Sequence, residues 1–402
     1  LWFALLLLVV SICINYIDRG NLSVAGPTLS KELAIDPEAM GRLYSAFFWT
    51  YALSQFFVGW FIDRYNVNWI YAAGYGLWSA ATALTGYAQG FASLFGLRLI
   101  LGVSESIAYP CYSKIIAGGF PEQQRGIANS LIDAGSKMGP ALGILICGQL
   151  LASYGWRTMF ILIGGVSLLW LLPWSLVAWR QKVEAPAIRS GIRQVSTGAI
   201  FSQRAAWGTF LGLFCYNYAW YFLITWLPSY LVSERHYTTQ MMSTYGSLPF
   251  WGVAGSSLVC GFVSDLLIGA GASPTRVRKS FVVTGLLLGT LLLPAALVTD
   301  ARVSMALLVI ACVSMGLFSS NCWAITQTLA TQQAAARWTG FQNAFANFAG
   351  VVAPWLTGWS VKTSGSYVTA FAVAAAMLVV GAASYAFLVR DVRPIRWHAE
   401  KN

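Results

Sequence analysis

The sequence predicts an all-α polytopic membrane protein, with twelve transmembrane helices arranged as two six-helix repeats. Composition is the first reason: of 402 residues, 57% are hydrophobic and only 10% are charged, whereas soluble domains are about a quarter charged. The second is the recurrence of apolar runs long enough to cross a bilayer at about 1.5 Å of rise per residue. Pro and Gly interrupt these runs, and the strand-like alternation of a barrel is missing. The third is internal repetition. Gly59-x-x-x-Asp63 and Gly261-x-x-x-Asp265 lie 202 positions apart, and Asn15-Tyr16 and Asn217-Tyr218 share that offset. Two parallel repeats around a midplane cavity are the architecture of a rocker-type secondary transporter.

The apolar segments fall near 1–25, 41–62, 69–88, 91–117, 126–152, 157–179, 205–232, 240–264, 280–298, 303–328, 338–360 and 366–389. They divide the chain into an N-terminal bundle (1–179), a cytoplasmic linker (180–204), a C-terminal bundle (205–390) and a cytoplasmic tail (391–402). If the N-terminus is cytoplasmic, fifteen of the 25 Lys and Arg fall in cytoplasmic loops and the C-terminal tail. Six fall opposite: Lys31, Arg42, Arg157, Arg235, Arg302 and Lys362. The positive-inside rule therefore predicts both termini inside. Most of the net charge of +11 is a topology signal, so the expected partner is the lipid bilayer and not nucleic acid. The seven cysteines sit in apolar segments without a CxxC pair and are read as buried thiols, with no metal or disulfide role. No small-residue cleavage site follows the first apolar run, so an uncleaved first helix is expected.

Seven charged residues lie at depth, all in the N-terminal half: Asp18, Arg19, Arg98, Glu105, Lys114, Asp133 and Lys137. A charge at mid-helix costs about 2.5–3.5 kcal/mol on insertion scales, so such residues mark substrate or ion pathways by default. Asp18 and Arg19 are adjacent and diverge by about 100° around the helix, so they look toward different partners. Glu105 is placed well inside helix four. Arg98 precedes it by seven residues, nearly two turns, which puts both on one side. Asp133 and Lys137 have the i, i+4 spacing of an intrahelical ion pair, with a second cationic site at Lys137 as the alternative. Lys114 is expected to snorkel. Gly135-x-x-x-Gly139-Pro140-x-x-Gly143 permits close helix approach.

Gly59-Trp60-Phe61-Ile62-Asp63-Arg64 resembles the loop 2–3 signature of the major facilitator superfamily, although Tyr65-Asn66-Val67-Asn68 departs from the glycine and basic residues that follow it there. Asn15-Tyr16-Ile17-Asp18-Arg19, Ser45–Tyr51, Arg98-x-x-x-Gly102-x-x-Glu105 and Tyr221–Pro228 resemble the anion:cation symporter family of that superfamily. Its bacterial members take up hexuronates and aldonates with protons. The resemblance spans essentially the whole chain and is specific to family, not to substrate.

The resemblance implies that Arg19 holds a substrate carboxylate, a role suited to a permanently charged, bidentate guanidinium; a permanent pair with Asp18 or Glu105 is the alternative. Asp18 and Glu105 are the expected proton carriers, with Arg98 and Asp133 as charged neighbours; a static salt bridge at Glu105 is the alternative. Tyr51, Gln55, Tyr109 and Lys137 in the first half are expected to meet the substrate. Asn217, Trp220, Tyr221, Ser320, Trp323, Asn343 and Asn347 in the second are the expected hydroxyl partners of a sugar acid. Gly59, Asp63, Arg64, Gly261 and Asp265 are assigned to conformational gating.

The expectation is a monomeric, proton-coupled symporter of a small organic anion, a hexuronate, aldonate or aldarate, in a bacterial inner membrane. It needs no cofactor beyond the coupling proton. A proton-coupled efflux antiporter is the rival, because the Gly135–Gly143 string resembles the helix-five signature of drug:proton antiporters. A fixed cation at Arg19 weighs against cationic or apolar drugs. No nucleophile triad, metal-ligand cluster or phosphate-binding loop is visible, so an enzyme is not expected.

Overall fold

The computed structural model describes residues 1–180 and 195–397; 181–194 of the expected linker and 398–402 of the tail lie outside the described residues. Every expected span is helical, and the described residues contain no strand. Helix α1 is Trp2–Glu32, α2 Pro37–Arg64 and α3 Val67–Thr85, and α4 runs as Phe91–Glu105 followed by Ala108–Gly119. The stretch Glu122–Leu168 holds α5 and the start of α6, which continues as Leu171–Arg180. After the short helix Thr197–Phe201 come α7 (Arg204–Ser233), α8 (Thr239–Gly269) and α9 (Pro274–Gly289, then Leu292–Leu297). Helices α10 and α11 share Ala301–Ser364, and α12 (Val368–Ala383) ends in a π turn, Ser384–Leu388. Eight of these stretches are long and apolar enough to cross a bilayer, and one of them, Ile127–Trp179, contains two passes.

The boundaries follow local chemistry. Asp36 caps α2 by accepting from the Ala39 amide at 2.7 Å, with Pro37 at the first helical position, where its missing N–H costs nothing. The α2 helix therefore starts several residues before its apolar core. Gly155, at φ 77°, makes the turn between α5 and α6 in a region that glycine enters without a steric penalty. Thr331 makes the α10–α11 break at φ 57°, an unusual conformation for a β-branched residue.

Helix four keeps Glu105 well inside one span, Phe91–Ile116, with a single irregularity. Glu105 ends its first regular piece, and residues 106–107, both with right-handed helical dihedrals, make a turn before Ala108–Gly119 resumes. Pro110 is the physical reason: it has no N–H for the Ser106 carbonyl, and its ring crowds that turn.

Contacts group the helices into two compact units. The first comprises Leu1–Ile188 with Leu223–Phe250 and Pro354–Tyr367, so it gathers parts of α7, α8 and α11 around the first six helices. Within it the glycines of α5 lie against α1: a Cβ on Gly135 would stand 2.6 Å from Ile12, and one on Gly139 2.4 Å from Tyr16. Ser23 donates to the Ile224 carbonyl at 2.7 Å, and the Trp226 indole donates to the Pro354 carbonyl at 3.1 Å. At the same end, Lys362 lies 2.8 Å from Glu38 and 3.1 Å from Asp36.

The second unit comprises Arg189–Phe222, Trp251–Ala353 and Val368–Asn402. Its core carries paired polar groups between apolar helices. Trp338 donates to Thr209 at 2.9 Å and Ser264 to the Asn321 carboxamide at 2.7 Å. The tail is tied down as well: the Ile395 amide donates to the Leu329 carbonyl at 3.1 Å, and the Trp397 indole to the Ala330 carbonyl at 3.0 Å.

Candidate substrate and proton site

Arg19 projects from α1 into the interior of the first unit, where its Nε donates to Oε2 of Glu105 at 2.8 Å. The exposures of the two side chains are 5% and 0%. Three aromatic rings surround the guanidinium, those of Tyr16 and Tyr51 at 4.7 Å and that of Phe47 at 5.2 Å. Arginine tolerates such a setting because its planar, weakly hydrated cation stacks on aromatic faces. Asn15 stands beside the Glu105 carboxylate. Tyr109 shares a hydroxyl contact of 3.3 Å with Tyr16, so it borders this group.

Asp18 looks away from Arg19, as the helical angle requires. Its Oδ1 accepts from Asn21 at 3.3 Å, Thr82 lies beside it, and the carboxyl is wholly buried. Arg98 is also buried. It donates to the Asn21 carboxamide oxygen at 2.8 Å and to the Asp18 backbone carbonyl at 3.4 Å. The first unit thus holds two buried polar groups back to back on α1: Arg19–Glu105 with its aromatic rings, and Asp18–Asn21–Arg98.

The remaining first-half candidates are less central. Gln55 is half-buried on α2, Lys137 is half-buried and Asp133 exposed on α5. Lys114, expected to snorkel, donates to the Ile62 carbonyl at 2.5 Å. The C-terminal end of α2 presents free carbonyls that attract a cation. The string Gly135–Gly143 packs on α1 between Val9 and Ile17.

In the second unit, Tyr221 donates to the Asn347 carboxamide oxygen at 2.8 Å, and Asn347 donates to the Asn343 carbonyl at 2.9 Å. Asn217 donates to the Ala346 carbonyl at 3.3 Å. Four of the expected hydroxyl partners therefore meet along α7 and α11. Trp220 is buried, while Ser320, Trp323 and Asn343 are half-buried. Ser320 lies beside Gly261, 3.3 Å from the position of a Cβ there. Asp265 is exposed, 3.9 Å from Arg278, which also donates to Thr328 at 2.7 Å. Arg64 is exposed at the end of α2; the side chains at Gly59 and Asp63 lie outside the described residues.

Asn15, Tyr16 and Phe47 lie in the motifs named from sequence but were given no site role there. A signal was there: Tyr16 stands three positions before Arg19, and Phe47 four before Tyr51, the spacings that share a helix face.

Helices enough to cross a bilayer many times, with a guanidinium and a carboxylate buried inside their first bundle, define a multi-pass membrane carrier. Comparison with known proteins makes the class specific: the chain belongs to the major facilitator superfamily, whose family model matches residues 8–336. It is 30% identical to the D-galactonate transporter of Escherichia coli O6:H1, covering 98% of this chain and 96% of that protein. It is also 30% identical to the hexuronate transporter of Bacillus subtilis, over 95% of this chain and 92% of the relative. A probable galactarate/D-glucarate transporter of Bacillus subtilis is 28% identical over 98% and 93%. In fold, the chain matches a bacterial homologue of the human lysosomal transporter Spinster, in an inward-facing and occupied conformation, with a TM-score of 0.81 at 18% identity, over 97% of each chain. These are transporters and not enzymes.

Proposed function

We propose that the protein is a proton-coupled symporter that imports a sugar acid, a hexuronate, aldonate or aldarate, across a bacterial inner membrane by alternating access. The carrying observation is the buried Arg19–Glu105 pair. A guanidinium enclosed by aromatic rings is a fixed cationic site for a carboxylate, and in this structure its Nε is bonded to an internal one. A proton on Glu105 removes that competition and lets Arg19 take the substrate carboxylate. Loss of the proton restores the internal pair and expels the substrate, so the two ligands travel together. Differential affinity of proton and anion for the two facing states drives the cycle.

The named relatives support the substrate class. The glycine string behind the efflux alternative packs against α1, and no observation favours efflux over import. The working unit is a monomer with both termini cytoplasmic, and the proton is the coupling ion.

The test is substrate-triggered proton movement in proteoliposomes loaded with a pH dye, using D-glucuronate, D-galactonate, D-glucarate and succinate. Proton entry with a sugar acid is the expected result. Silence across the panel, with proton movement on adding a lipophilic cation, would replace import by efflux.

A further inference from the structure

Asp18 presents a problem that the proposed symport raises and the Arg19 site does not solve. Its carboxyl is wholly buried, and it points away from Arg19. A proton carrier there needs its own route to water.

Helix α3 carries a row of hydroxyls that begins beside this carboxyl. Tyr71, Tyr75, Ser79 and Thr82 follow at spacings of four, four and three, which place four hydroxyls on one helical face. All four are buried. The stripe runs over twelve residues, eleven steps of about 1.5 Å or about 16 Å along the axis. At its upper end Thr82 lies beside Asp18, and Tyr75 is within electrostatic reach of the same carboxyl. Ser79 and Ser167 lie beside the Tyr75 hydroxyl. At its lower end the Tyr71 hydroxyl is 2.6 Å from that of Ser11 and 2.7 Å from that of Tyr112, and Ser11 and Tyr112 are 3.3 Å apart. Ser11 closes the group by donating to the Leu8 carbonyl at 2.8 Å. Trp170 stacks on Tyr75 with ring centroids 4.1 Å apart, and Trp174 stacks on Trp170 at 5.0 Å. Indole walls therefore flank the hydroxyls.

In this otherwise apolar interior, Asp18 Oδ2, Thr82 Oγ1, Ser79 Oγ and Tyr75 Oη make no protein hydrogen bond of ordinary length and angle. Natural proteins seldom leave four such atoms in one place, and buried polar groups of this kind are served by internal water. A packing role alone accounts for the rings of Tyr71 and Tyr75, but not for hydroxyls on every turn of the same face.

We propose that this α3 stripe, from Thr82 through Ser79 and Tyr75 to the Tyr71–Ser11–Tyr112 cluster, is a proton path joining Asp18 to the Val67 end of the helix. It rests on the proton-symport reading. Each hydroxyl accepts one proton and passes on its own, so a proton taken from Asp18 leaves at the far end with nothing oxidised or reduced. The groups that set the occupancy of Asp18 come from every side: Asn21 on its own helix, Arg98 and Glu105 on α4, Thr82 and Tyr75 on α3, and Cys147 on α5.

The experiment compares wild type with Tyr71→Phe, Tyr75→Phe and Ser79→Ala in proteoliposomes, with D-galactonate and D-glucuronate as probes. Labelled-substrate exchange, which moves no net proton, should stay within about twofold of wild type. Substrate-triggered proton movement and gradient-driven uptake should fall about tenfold or more in the Tyr variants. Full proton movement in both Tyr variants overturns the path while leaving symport intact. Loss of exchange and proton movement together in all three variants overturns it in favour of a packing role. A wild type that exchanges substrate but moves no protons overturns both this path and the symport reading.

Discussion

Arg19 Nε lies 2.8 Å from Oε2 of Glu105, a contact that joins α1 to α4 across 86 positions of sequence with both side chains buried. A buried pair of this kind owes its net value to each partner being present, since removing one leaves an uncompensated charge at a cost of about 3–5 kcal/mol. Arg19→Ala should therefore both abolish sugar-acid binding and lower thermal stability. Glu105→Gln in the same background should recover the stability without the binding. A thermal melt of the single and double variants in detergent, with and without D-galactonate, checks this.

Arg19→Lys preserves the charge and should nevertheless fail as a substitute. An ammonium lacks the planar fork and the stacking that Tyr16, Tyr51 and Phe47 provide for. Affinity for the anion should drop about tenfold or more, near 1.4 kcal/mol, as read by calorimetry.

The ends of α2 and α11 meet backbone to backbone in the first unit. A Cβ on Gly358 would stand 2.3 Å from the Pro37 carbonyl oxygen and 3.1 Å from the Gly41 Cα, and one on Gly41 would stand 2.6 Å from the Pro354 oxygen. Backbone cannot yield as a side chain does, so Gly358→Leu should force these helix ends apart at a cost of about 1–3 kcal/mol. Labelling of a cysteine placed at Ser229, buried in the wild type, should become faster. Unchanged labelling would mean that the two helices can close around a side chain.

The charges beside that contact should not set the pH profile of transport. The Ala39 amide and Lys362 hold the Asp36 carboxyl below its ordinary range, Lys362 and Arg42 do the same for Glu38, and the two carboxylates push Lys362 up from 10.5. Depressed carboxylates contribute above their ordinary range and lose the contribution only as pH falls through their lowered values. The raised ammonium contributes below its ordinary value and loses it as pH rises through the higher one. Between about pH 5 and 9 none of the three changes charge. Asp36→Asn with Glu38→Gln should keep the wild-type pH profile of uptake over that window. A shifted profile would place a coupling step at this cluster.

How much of this was readable in advance follows the range of the interactions. The spans were legible because the bilayer requires long apolar helices, and Arg19 and Glu105 stood out because charges are costly there. The divergence of Asp18 from Arg19 follows from helix geometry alone. Pairing of Arg19 with Asp18 or Glu105 stood only as the alternative to substrate binding, and the choice of Glu105 was not legible, since nothing local encodes a contact over that separation. Pro110 carried the signal for the turn after Glu105, five residues further on, where it is easily read as one of many membrane prolines. The bond from Lys114 to the Ile62 carbonyl depends on where α2 ends beside α4, which only packing decides.

The most direct test of the central claim is the proton uptake that accompanies anion binding, measured by calorimetry in buffers of different ionisation enthalpy, for wild type and Glu105→Gln. Wild type should take up protons on binding D-galactonate or D-glucuronate and bind more tightly as pH falls. Glu105→Gln should bind at least as tightly, with the Glu105-linked proton uptake gone and a flatter pH dependence. A Glu105→Gln protein whose binding keeps the full wild-type proton uptake and pH slope would contradict the exchange of Glu105 for substrate at Arg19.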